Sequence, residues 1–115
     1  MGKTDERNEW LIKIGNRIQQ SRIKANLTQD QVAECVGISQ KHLSRIEKGY
    51  HNPHFDIIIS LSKILNVSID SFAQDIESEN IDGFLQLIKE DIKNLSPKQK
   101  EMLRDNISTI KKYYF

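Results

Sequence analysis

The stretch Thr28–Gly49, TQDQVAECVGISQKHLSRIEKG, divides into two short helices around a tight turn, and the rest of the chain is read from it. Thr28 is placed to cap the first helix. Gln31, three residues on, completes a capping box that pairs two backbone N–H groups the helix leaves orphaned. Val32, Ala33 and Val36 then form one apolar face at helical spacing. Gly37 stands where that helix must end, because a left-handed residue is least strained without a Cβ. Ser39 can cap the second helix, whose Leu43 and Ile46 are three apart and face the first, and Gly49 offers its stop. The outward residues of the second helix are Gln40, Lys41, Ser44, Arg45 and Lys48. All donate hydrogen bonds and none is acidic, which is the composition a helix needs to lie in a DNA groove.

At 115 residues the chain suits one domain, or one small domain with an appendage. Its net charge of +1 hides a local imbalance. From Trp10 to His54 there are seven basic residues against three acidic ones, whereas from Glu77 to Phe115 there are seven of each. The local excess, not the global charge, points to nucleic acid. The lone cysteine, Cys35, leaves no intramolecular disulfide to form and fits a reducing cytoplasm. No apolar run approaches the ~18 residues of a membrane span, and the N-terminus is too polar for a signal peptide. A cytoplasmic protein with no membrane partner is expected.

Upstream, Trp10, Leu11, Ile14 and Ile18 recur at helical spacing, and Arg22 and Ile23 continue that helix to about Ala25. Asn26 suits a left-handed terminator, and Leu27 can staple the start of the next helix. Downstream, Tyr50-His51-Asn52-Pro53 reads as a turn before a helix from Phe55 to Leu65. Its inward residues are expected to be Phe55, Ile58, Ile59, Ser62 and Leu65. Ile57, Leu61 and Ile64 leave it apolar over more of its girth than a free surface helix carries, so something further must cover it. Val67 and a Ser68 cap lead into a short fifth helix with Ile69 and Phe72 turned inward.

In the tail, Ile81, Phe84, Leu85, Ile88, Ile92 and Leu95 make a narrow apolar stripe. Ser96-Pro97-Lys98-Gln99 combines a cap, a proline at the first helical position and a closing glutamine. The last helix would carry Met102, Leu103, Ile107, Ile110 and Tyr114. Two such helices form a hairpin too thin to bury both stripes, so it must dock on the first domain or on a second copy of itself.

Arg22, Leu27-Thr28-Gln29, Val32-Ala33, Val36-Gly37, Leu43-Ser44, Ile46-Glu47, Gly49, Pro53 and Leu65-Asn66-Val67-Ser68 keep one continuous register. In that register the chain from Ile14 to Phe72 resembles the phage repressor and Cro family of helix-turn-helix proteins, often called the XRE family. The resemblance implies an all-α fold with a five-helix repressor-like DNA-binding domain, taken over residues 1–76. The tail, 77–115, lies outside it and is read from its own stripes as a C-terminal two-helix hairpin, a dimerisation segment whose layout looks like that of small Gram-positive regulators. The resemblance also implies that the third helix enters the major groove of double-stranded DNA, with Gln40, Lys41, Ser44 and Arg45 at the base edges. Gln40 would pair with adenine N6 and N7, and Arg45 with guanine O6 and N7. Gln29, Ser39, Lys48, Tyr50 and His51 fall where the family tracks the DNA backbone. Arg22 and Glu47 match a structural pair tying the first helix to the third. Asn66 replaces a glycine common before the valine, which asparagine's tolerance of left-handed geometry permits. Tyr50-His51 is less basic than many family loops.

A polar helix face is usually only solvated, and the family register is what favours DNA readout here. His42, His51, His54 and Cys35 match no zinc spacing, so neither a metal nor a cofactor is expected. With no glycine-rich phosphate loop, paired carboxylates or activated nucleophile, an enzyme is not expected either. The function implied is a sequence-specific transcriptional regulator, a repressor acting as a homodimer on a palindromic operator. The alternative is an interaction module, such as an antitoxin or an antirepressor-controlled switch, whose tail binds a protein partner or antagonist.

Overall fold

Four helix stops with the same chemistry shape the domain. The computed structural model describes residues 8–76, 93–98, 100 and 101. Helix α1 (Glu9–Lys24) ends at Asn26, which sits at φ 60°, with the Leu27 N–H donating back to the Arg22 carbonyl at 3.2 Å. Helix α2 (Gln29–Val36) ends at Gly37, φ 84°, and the Ile38 N–H returns to the Ala33 carbonyl. Helix α3 (Gln40–Glu47) closes the same way, from the Tyr50 N–H to the Arg45 carbonyl at 2.9 Å, and helix α4 (Phe55–Leu65) from Val67 to Ser62 across Asn66. Each backward bond satisfies a carbonyl the helix end would otherwise leave open. Helix α5 (Ile69–Phe72) is one turn, capped by the Ser68 hydroxyl.

The helix starts follow the expected chemistry. Thr28 Oγ1 accepts from the Gln31 N–H at 3.1 Å, and Gln31 Oε1 accepts from the Thr28 N–H at 2.9 Å, so the capping box is complete. Ser39 Oγ accepts from the His42 N–H at 3.0 Å. The helices enclose one core, in which Ile14, Ile18, Val32, Leu43, Ile46, Phe55, Ile58, Leu61 and Phe72 are essentially fully buried. Burial of each such side chain contributes about 1.5–3 kcal/mol against exposure. Helix α4 buries Ile57 and Leu61 beside its expected inward residues, and Ile64 is partly covered.

Helix α1 packs on α3 and α5, and α2 on α3 and α4. The α1–α3 crossing is closer than a side chain would allow. A Cβ on Gly15 would overlap the Ile46 carbonyl oxygen and stand 2.6 Å from that of Glu47. Gly49, at φ 84°, is also buried, and its Cβ would lie 2.8 Å from Ile12 Cα. The two glycines thus bring the backbone of α3 directly onto α1. That contact sets the angle at which α3 presents its outer face.

The tail hairpin lies outside the described residues except around Ser96. Leu95 is partly buried against the core, and the Lys100 N–H donates to the Ser96 carbonyl at 3.0 Å, the first helical bond after Pro97. Ile76 is also buried, so the domain extends at least to that residue. Among the described residues no helix is long and apolar enough to cross a membrane.

Candidate nucleic-acid interface

Helix α3 buries Leu43, Ile46 and Glu47 on one side and exposes Gln40, Lys41 and Arg45 on the other, with Ser44 half-buried between them and the exposed Lys48 at its C-cap. Glu47 is the unusual member. It is a carboxylate on the core side, and its side chain has no exposed surface. Such a charge is tolerated only when paired and hydrogen-bonded. Arg22 of α1 supplies the pairing, donating from Nε to Glu47 Oε2 at 2.7 Å and from Nη2 to Oε1 at 3.1 Å. Its remaining terminal nitrogen donates to the Leu27 carbonyl at 2.9 Å. Among the described residues no buried side-chain nitrogen or oxygen lacks a partner.

The pair does not stop at Glu47. Gln29 Nε2 donates to Glu47 Oε1 at 3.0 Å, and Gln40 Nε2 donates to Gln29 Oε1 at 2.6 Å. An ionised carboxylate accepts but cannot donate. It therefore forces Gln29 to turn its amide nitrogen inward and its oxygen toward Gln40. Gln29's oxygen in turn forces Gln40 to offer its nitrogen. The buried charge thus sets the orientation of an amide on the exposed face two side chains away. Gln40 keeps its own oxygen and one N–H for an external partner, the acceptor-and-donor pair that an adenine edge matches.

Arg45 stands at the other end of the face, in a small aromatic cluster. Its Nε donates to His51 Nε2 at 3.2 Å, and its guanidinium carbon lies 5.3 Å from the centre of the Tyr50 ring. The His51 ring meets His42 edge-on, with centroids 5.4 Å apart and planes at 76°. Loss of water around the ring, and then the charges of Arg45 and His42, hold the His51 pKa below the ordinary histidine value. Ser39 uses its hydroxyl oxygen as the α3 cap, and its hydroxyl proton is not used in that bond.

The structure therefore gathers Gln29, Gln40, Glu47 and Arg22 into one chain, and Arg45, Tyr50 and His51 into another group. Lys41 and Ser44 lie on the same helix, and Lys48 caps its end. Two features had no signal in the sequence. One is the amide link through Gln29, whose partners are 11 and 18 residues away. The other is a second bidentate pair, Arg17 Nε to Asp75 Oδ2 at 2.6 Å and Nη2 to Oδ1 at 2.8 Å, which ties the turn after α5 to α1.

Comparison with known proteins identifies the family that this fold belongs to. The helix-turn-helix family profile matches residues 18–72, which span all of α2 and α3. The cryptic phage CTXphi transcriptional repressor RstR of Vibrio cholerae is 30% identical over 90 residues, 78% of this chain and 80% of RstR. The chain belongs to the XRE helix-turn-helix family. Members of that family are DNA-binding regulators of transcription, not enzymes. The HTH-type transcriptional regulator ImmR of Bacillus subtilis is 37% identical over 59 residues, 51% of this chain but only 46% of ImmR. The restriction-modification controller protein C.AhdI of Aeromonas hydrophila shares the fold, with a TM-score of 0.52 at 24% identity over 54% of this chain and 94% of that one.

Proposed function

We propose that this XRE-family protein is a sequence-specific transcriptional repressor, acting in the cytoplasm as a homodimer on a palindromic operator. The observation that carries the reading is the Gln40 amide, held in one orientation on an acid-free helix face by the buried Glu47. In this reading Gln40 and Arg45 recognise base edges in the major groove, each worth about 1–3 kcal/mol of discrimination. Lys41 and Ser44 add to the same face. Gln29, Ser39, Lys48, Tyr50 and His51 follow the phosphates, and for each phosphate that a cationic side chain such as Lys48 neutralises, log K falls by about 0.9 per log unit of salt.

One copy carries one recognition helix and reads half a site. A twofold dimer would place two such helices about 34 Å apart, one turn of DNA. Residues 1–76 form the reading domain, and residues 77–115 supply the pairing through their apolar stripes. The similarity to the repressor RstR covers 90 residues and so runs beyond residue 76 into the tail, which supports a repressor role for the chain as a whole. A protein antagonist gripping the same stripes would release the DNA, which is the second use the tail's apolar residues support.

Selection of bound double-stranded DNA from a random pool, with the full chain, tests the reading. The expected product is an inverted repeat with half-site centres one helical turn apart. Enrichment of a single unpaired half-site would remove the homodimer, and no enrichment would remove sequence reading altogether.

A further inference from the structure

We propose that His51 is a positioning residue for base readout: by accepting from Arg45 Nε, it makes Arg45 present its two terminal nitrogens, and not its Nε edge, to the base pair it reads. The inference rests on the DNA-reading role proposed above and goes beyond it. A guanidinium can meet guanine O6 and N7 either end-on, through both terminal nitrogens, or side-on, through Nε and one of them. The 3.2 Å bond to His51 Nε2 occupies Nε and leaves only the end-on approach. The Tyr50 ring, 5.3 Å from the guanidinium carbon, restricts the tilt of the plane. His42, one turn earlier on α3, closes on the His51 ring edge-on and buttresses it.

The arrangement has a condition. His51 Nε2 accepts only while the ring is neutral with its proton on Nδ1. Protonation removes the lone pair that Arg45 uses and sets two cations side by side. The charged and titratable groups facing His51 are Arg45 and His42, both on α3, with Tyr50 beside it in its own turn. Loss of water around the ring first, and then the Arg45 charge, favour the neutral ring, in keeping with its lowered pKa. Arg45 is therefore held at neutral pH and released in acid.

The test uses the full chain, a random pool of double-stranded DNA, and the variants His51→Ala and His51→Gln. His51→Ala should relax preference at one base pair in each half-site by about fivefold or more, the low end of what a bidentate arginine–guanine contact supplies. His51→Gln keeps an acceptor and should keep the preference. As the pH is lowered stepwise from neutral to below the depressed His51 pKa, the wild type should lose preference at that same base pair while His51→Gln does not. The role is overturned if His51→Ala weakens all sequences equally or leaves the preference sharp, or if both proteins respond alike to acid. A wild-type chain that enriches no sequence would instead overturn the DNA reading. The 15N shifts of the His51 ring in the free chain then still decide the geometry, and a proton on Nε2 would contradict it.

Discussion

Helix α1 carries two arginines that each grip a carboxylate with two bonds, and they differ in what surrounds them. Arg22 and Glu47 lie in the core, with the Glu47 side chain fully enclosed. Arg17 and Asp75 hold each other at distances just as short, at the surface, with both side chains a third or so exposed (31% and 41%). Water screens the outer pair and competes for its hydrogen bonds, so its worth is small. The inner pair has no water to fall back on, and each partner depends on the other. The inner pair is also wired to α3 through Gln29, whereas the outer one only fastens the turn that follows α5. Similar geometry thus makes an organising centre in one place and a fastening in the other.

The contrast is tested most severely by breaking each pair in turn. Glu47→Ala strands Arg22 in the core and should cost about 3–5 kcal/mol. Thermal or urea unfolding should show the loss, and an unchanged melting temperature would refute the inner pair's role. Gly15→Ala leaves both partners in place but drives a methyl group into the Ile46 and Glu47 carbonyls. Overpacking of that kind costs about 1–3 kcal/mol, and it should weaken DNA binding as well by tilting α3. Retained stability in that variant would show that α1 and α3 can separate without consequence.

Asp75→Asn should have the smallest effect, a slight drop in melting temperature and none in DNA preference. Its pH dependence carries the sign. The bond from Arg17 first, and then the charges of Arg17 and Lys13, hold the Asp75 carboxyl below the ordinary carboxylate range. The folded pKa is depressed, so the contribution is complete above the ordinary carboxylate range and is lost as the pH falls below it. Unfolding of the wild type should therefore converge with that of Asp75→Asn in strong acid and differ slightly at neutral pH. A gap that widened in acid would reverse the assignment.

Much of this fold was legible because its signals are local. Thr28 with Gln31, Asn26, Gly37, Ser39 and Ser68 are punctuation that acts within three or four residues, and the helix boundaries follow them. The apolar spacing of α4 likewise gave its inward face. Pairings between elements were not legible in that way. Arg22 and Glu47 were suggested by family resemblance alone, since nothing in a separation of 25 residues implies contact. Arg17–Asp75, the Gln29 link and the close approach at Gly15 depend on how helices cross, which periodicity does not encode. His51 shows the same limit. Nothing in its place after α3 signals that one of its nitrogens faces Arg45.

The central claim is that a buried carboxylate orients a base-reading amide through one intervening side chain. Gln29→Met tests it most directly, because Arg22 still gives Glu47 two bonds and the fold should survive. With the full chain, binding to each single-base variant of the selected operator would be compared for wild type, Gln29→Met and Gln40→Ala. The account predicts that Gln29→Met relaxes preference at the same base pair as Gln40→Ala. If Gln29→Met weakened every sequence equally and left that base pair sharply preferred, Gln29 would be a phosphate contact only, and the link from Glu47 to Gln40 would carry no information to DNA.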